Sequence, residues 1–133
     1  MEQTKVGQFI IGNQIPGAPL FTVVLIDSGV GHVTGHGKVT QTTNPPLDLA
    51  ENVAGTIATI VWGADVQTNI QLTGWPGPGI GLQVGEPNLY ASIVLDSEKS
   101  KPGVAQVRYL EPGTGRWVTL QNQPVKGNLQ ALA

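Results

Sequence analysis

The chain has 133 residues, no cysteine, 12% charged residues and a formal net charge of −2 at pH 7. That length suits a single domain with its own core, and the absence of thiols excludes disulfides, thiolate metal sites and cysteine nucleophiles. Lysines and arginines stand singly, which leaves no electrostatic footprint for nucleic acid or anionic lipid, so neither is expected as a partner.

Glycine (18) and proline (10) are frequent beside 40% hydrophobic residues, a mixture that points to many short strands and turns rather than disorder. Residues 1–12 show no basic segment followed by a long apolar run, and no later stretch approaches the length of a membrane span. A soluble, cytoplasmic protein is therefore expected.

In chain order, residues 5–12 read as a first strand, and Pro16-Gly17 suits the centre of a type II turn. Residues 20–44 read as a long hairpin. Its turn is placed at Asp27-Ser28-Gly29, because glycine tolerates the positive φ that the third position of this loop class favours. That register sets Phe21 against Gly35, Val23 against Val33 and Leu25 against Gly31 on the core face. Thr22 then meets Thr34, and Val24 meets His32, outside. Asn44-Pro45-Pro46 ends the strand near Thr42, since two prolines cannot sit inside a ladder.

A second hairpin covers residues 55–73. Its turn, Trp62-Gly63-Ala64-Asp65, has glycine at the first central position, and pairing outward sets Val61 against Val66, Thr59 against Thr68 and Ile57 against Ile70. Gln67, Asn69 and Gln71 occupy the wet reverse face. The Pro/Gly-rich run from Gly74 to Pro87 is expected to be a long irregular connection that carries Trp75. Leu89, Ala91, Ile93 and Leu95 share one face of the next strand. Residues 104–110 and 116–120 flank a loop ending in Gly115, which puts Glu111 opposite Arg116, Tyr109 opposite Val118 and Val107 opposite Leu120, with Trp117 outside beside Leu110. The tail from about residue 121 is expected to fray.

About eight strands in successive hairpins, without helical periodicity, predict one all-β domain over residues 1–133. An antiparallel up-and-down barrel is the leading architecture and a two-sheet β-sandwich the alternative. Gly35, Gly37 and Gly55 stand alone inside strands, as glycines do where a sheet curves tightly.

Few residues carry a recognisable chemistry. Leu25-Ile26-Asp27-Ser28-Gly29 resembles the motif of aspartic proteases, in which two carboxylates share a proton and activate water. Asp-Ser-Gly is equally good turn chemistry. His32 and His36 lie four residues apart on a strand, about 13 Å, too far to share one ion. Gly29-Val30-Gly31 and Gly79-Ile80-Gly81 lack the third glycine and the helix of a dinucleotide loop. No metal or cofactor is expected. The tryptophans are the better signal, because Trp62 at a hairpin end, Trp75 in the Pro/Gly run and Trp117 on an outward face all fall outside the predicted core. With Tyr90 they form the candidate contact set.

Segments from Ile11 to Asn13, Pro16 to Phe21, Gly35 to Gln41, Asn44 to Asp48 and Val94 to Ser97 resemble a small bacterial family catalogued as domain of unknown function 1842. The likeness extends over most of the chain, and Thr40-Gln41 followed by Asn44-Pro45-Pro46-Leu47 is its strongest motif. It implies a bacterial source and assigns no catalytic residue or substrate. The strands around Val33-Thr34-Gly35 also look slightly like the avidin and lipocalin kind of barrel, without avidin's aromatic and polar ligand set.

The leading functional expectation is a non-enzymatic binding or assembly module, homo-oligomeric, with itself as partner. A carrier of a small apolar molecule inside the barrel comes second, and an aspartic-type hydrolase at Asp27 third.

Overall fold

The computed structural model describes residues 4–13, 15–42, 46–63, 65–77, 86–96, 103–127 and 129–131, apart from the side chains of Trp62, Asp65 and Ala131. The described elements are β1 (Lys5–Ile11), β2 (Leu20–Asp27), β3 (His32–Gln41), β4 (Leu47–Trp62), β5 (Asp65–Pro76), β6 (Leu89–Asp96), β7 (Gly103–Leu110), β8 (Trp117–Lys126) and β9 (Leu129–Ala131). Each strand from β1 to β8 pairs antiparallel with the next, and β8 returns to β1 through Ile11↔Val125 and Ile10↔Lys126. The sheet closes into the eight-stranded up-and-down barrel; the sandwich alternative does not form.

β9 adds no layer. Its pairs with β1, Gly7↔Leu129 through Lys5↔Ala131, continue the register of Ile10↔Lys126, so β9 prolongs the closing ladder. The tail expected to fray from about residue 121 thus supplies the last six residues of β8 and all of β9. Closing a barrel removes the free edge that a final strand would otherwise leave.

Alternation does most of the sorting. Phe9, Phe21, Ile70, Leu89, Ile93 and Tyr109 are at most 1% exposed and pack in the interior from five strands. At Gly35 and Gly55 the chains run so close that an added Cβ would collide with the carbonyl oxygens of Val24 and Gln71. Those two glycines let the sheet coil tightly, as expected from their isolation within strands.

Two hairpin registers form as the sequence predicts. β4 and β5 pair as Val61↔Val66, Thr59↔Thr68 and Ile57↔Ile70, with Gly63 at φ 60°. β7 and β8 pair as Tyr109↔Val118 and Val107↔Leu120, with Gly115 at φ 68°. Beyond Leu120 a bulge shifts the register, and Asn122 takes φ 54°, which turns Val125 inward after Val118 and Leu120.

The first hairpin differs. β2 and β3 pair as Leu25↔Gly35, Val23↔Gly37, Phe21↔Val39 and Val24↔His36, four residues further along β3 than expected. Gly29 and Gly31 both adopt positive φ, 88° and 89°, so the loop is longer than a three-residue turn. Its far side is tied down by the Ile57 N–H, which donates to Gly31 O at 3.0 Å. Because the shift is even, Phe21, Val23 and Leu25 keep the core face.

The Pro/Gly connection is the second difference. β5 extends through Gly74 and Trp75 to Pro76, against Val53, Asn52 and Glu51 of β4. β4 is 16 residues long and offers those partners, so the ladder runs on as far as Pro76. Residues 78–85 of the expected loop lie outside the described residues.

Candidate functional site

Tyr90 on β6, Arg108 on β7 and Trp117 on β8 meet on the outer face. The register sets Tyr90 opposite Arg108 and Leu110 opposite Trp117, so Arg108 stands on the strand between those that carry the two rings. Its guanidinium carbon is 4.6 Å from the Trp117 ring centroid, and the Tyr90 and Trp117 centroids are 5.8 Å apart at 36°. Tyr90 is 42% and Trp117 37% exposed, so the three form a ridge that solvent reaches. At such exposure the cation–π contact is worth about 0.5–1 kcal/mol, enough to orient the side chains and little more.

The other two predicted aromatics do not join this cluster equally. Trp75 is half-buried on the outer face of β5, two residues beyond Thr73, the cross-strand partner of Tyr90. It stands in a strand, not in a loop. Trp62 ends β4 at the opposite end of the barrel, and its side chain lies outside the described residues. Arg108 was not anticipated, although its signal was available: the β7–β8 register places it opposite Thr119, on the face that carries Trp117.

Asp27 is buried at the end of β2, and its Oδ1 accepts the N–H of Gly29 at 2.9 Å. Ser28 Oγ donates to His32 O at 3.1 Å. Both contacts are local turn bonds. His32 and His36 are exposed on the outer face of β3, opposite Thr56 and Asn52 of β4. Among the described residues no three His, Cys, Asp or Glu side chains gather where they could hold a metal ion.

A groove of about 630 Å³ crosses the outside of β2 to β4 between Val24, His36, Lys38, Thr40 and Ala50, and reaches Gly77. Lys38 forms an ion pair with Asp48 at 3.7 Å on its rim.

Polar groups are also buried beside β5, at the barrel end from which the β5–β6 connection leaves. Glu51 belongs to the inward set of β4 with Val53 and is 1% exposed. Gly74 leaves the space that its carboxyl fills: a Cβ there would lie 2.9 Å from Glu51 Oε1. Burial pushes the Glu51 carboxyl up to about 7, an effect partly offset by the nearby Asn88 side chain. Neither carboxyl oxygen makes a well-formed hydrogen bond, and Asn88 Oδ1 and both amide atoms of Asn52 are likewise buried without a partner.

The sequence was also compared with known families. The model described as Domain of unknown function (DUF1842) matches residues 6–117. The chain belongs to this family. The DUF1842 match takes in the strands that carry Glu51, Tyr90 and Arg108 and reaches Trp117. No curated protein matches the chain.

Proposed function

We propose that this DUF1842 barrel is a non-enzymatic binding or assembly module that works as a homo-oligomer through the outer-face ridge of Tyr90, Arg108 and Trp117. The observation that carries the reading is the exposure of two large rings, ordered by an arginine from a third strand. Aromatic residues with arginine are the side chains that contribute most at protein interfaces. The alternatives have less support. Interior positions are occupied by Phe9, Phe21 and Tyr109, which weighs against an apolar carrier, and Asp27 is engaged with its own turn, which weighs against a hydrolase.

Sedimentation across a concentration series tests the ridge, combined with acrylamide quenching of Trp117 in a chain carrying Trp62→Phe and Trp75→Phe. Self-association that shields Trp117, and that weakens in a Tyr90→Ala, Trp117→Ala double variant, is the expected result. A monomer at every concentration with Trp117 freely quenched would sink the reading.

A further inference from the structure

The hairpin of β4 and β5 outgrows the barrel. β3 accompanies β4 only as far as His32↔Thr56, and β6 accompanies β5 only as far as Gln67↔Asp96. Residues 57–62 therefore lie in a β4–β5 ribbon that is paired on the β5 side and whose other side, among the described residues, has no strand beside it; the last two pairs, Val61↔Val66 and Trp62↔Asp65, project past β6 as well. The Ile57 N–H donates to Gly31 O on that open side. Backbone groups alternate along an antiparallel strand, so Thr59 and Val61 aim their N–H and C=O outward in the same direction. Ala58 and Ile60 aim theirs at β5.

Nothing in the segment blocks pairing. Residues 55–62 read Gly-Thr-Ile-Ala-Thr-Ile-Val-Trp, without charge or proline, and the β4–β5 register passes through them without a bulge. Exposed edges usually carry such devices to prevent strand addition. Ile60 is 39% and Val61 66% exposed, one on each face of the ribbon, so a neighbouring strand would cover apolar surface as well as satisfy backbone groups.

We infer that this edge of β4 pairs antiparallel with the same edge of a second copy, Thr59 and Val61 exchanging main-chain hydrogen bonds across a two-fold axis. Self-pairing meets no like-charge repulsion, because the segment carries no charge to oppose its own copy. Because the same edge of both copies is used in the contact, it is isologous and closes at two rather than growing into a filament. From the proposed function this takes only that the chain self-associates; it uses a different surface from the aromatic ridge.

The experiment combines sedimentation with amide hydrogen exchange on the full chain and on three variants: Thr59→Pro, Val61→Lys and the Tyr90→Ala, Trp117→Ala double variant. The ridge variant, left with the edge alone, is expected to remain a dimer, and the wild type, with both surfaces, to associate at least that far. Thr59→Pro and Val61→Lys are expected to keep native circular dichroism and to lose the edge contact, retaining at most the association made through the ridge. The Thr59 and Val61 amides of the wild type are expected to slow at least tenfold as concentration rises, while those of Ala58 and Ile60 stay protected throughout. A dimer that survives Val61→Lys, with Thr59 exchange independent of concentration, overturns the edge contact. A dimer lost only in the ridge variant overturns it and leaves the ridge reading standing. A wild-type monomer removes both.

Discussion

Among the described residues, Glu51 is the one whose carboxyl is pushed furthest from its ordinary titration range. It faces a barrel interior of Val53, Leu89 and the bare backbone of Gly74, and its carboxyl titrates near 7 instead of 4.5 because burial penalises the charged form. Between those two values the folded chain binds more protons than the unfolded chain, so this group makes stability fall as pH rises from about 4.5 to about 7. Its penalty is absent below that window and complete above it. At about 1.36 kcal/mol per pKa unit the full effect is on the order of 3 kcal/mol. Glu51→Gln is therefore expected to leave stability at pH 4 nearly unchanged, raise it at pH 8, and flatten the slope between; urea unfolding at a series of pH values measures this. An unaltered slope in the variant would contradict the assignment. The position was legible in part, since Leu47, Leu49, Glu51 and Val53 alternate in sequence. The predicted hairpin nevertheless starts only at Gly55, because nothing local to residues 47–54 shows that β3 reaches far enough to pair with them.

At the scale of elements, a turn that needs positive φ at one position is easier to place from sequence than a turn that needs it at two. Gly63 and Gly115 are each the one described residue of their loop with positive φ, and both registers form as predicted. The β2–β3 loop contains Gly29 and Gly31, either of which could close a turn; both take positive φ and the register moves by four. Gly31→Ala would force a side chain into the left-handed region and is expected to destabilise by about 1–2 kcal/mol. Gly113→Ala, in open space and without positive φ, is expected to stay within about 0.5 kcal/mol of wild type. Thermal or urea unfolding of the two variants makes the comparison; equal stabilities would show that Gly31 does not constrain the loop. Trp75 illustrates a different limit. Gly74 and Pro76 around it are local signals for a loop, yet the length of β4 gives this segment a partner and holds it in the ladder.

Closure governs the whole molecule. The β1 strand takes β2 on one side and β8 with β9 on the other, joining residues near both ends of the sequence. Deleting residues 127–133 removes the pairing of Lys5, Val6 and Gly7 with β9 but keeps Ile10 and Ile11 on β8. The truncated barrel is expected to fold with stability lowered by about 2 kcal/mol, the net worth of a few ladder hydrogen bonds. The Val6 amide should exchange faster while that of Ile93 keeps its order of protection; unchanged Val6 exchange would argue that β9 does not hold the seam. Alternation and turn chemistry, which act over a few residues, settled by themselves the all-β class, the inward faces and two of the hairpins. The ridge of Tyr90, Arg108 and Trp117, the burial of Glu51 against Gly74 and the open edge of β4 were decided only by the tertiary structure. Each depends on strand register and strand length, and those are set by long-range pairing around a closed sheet rather than by any local stretch of chain.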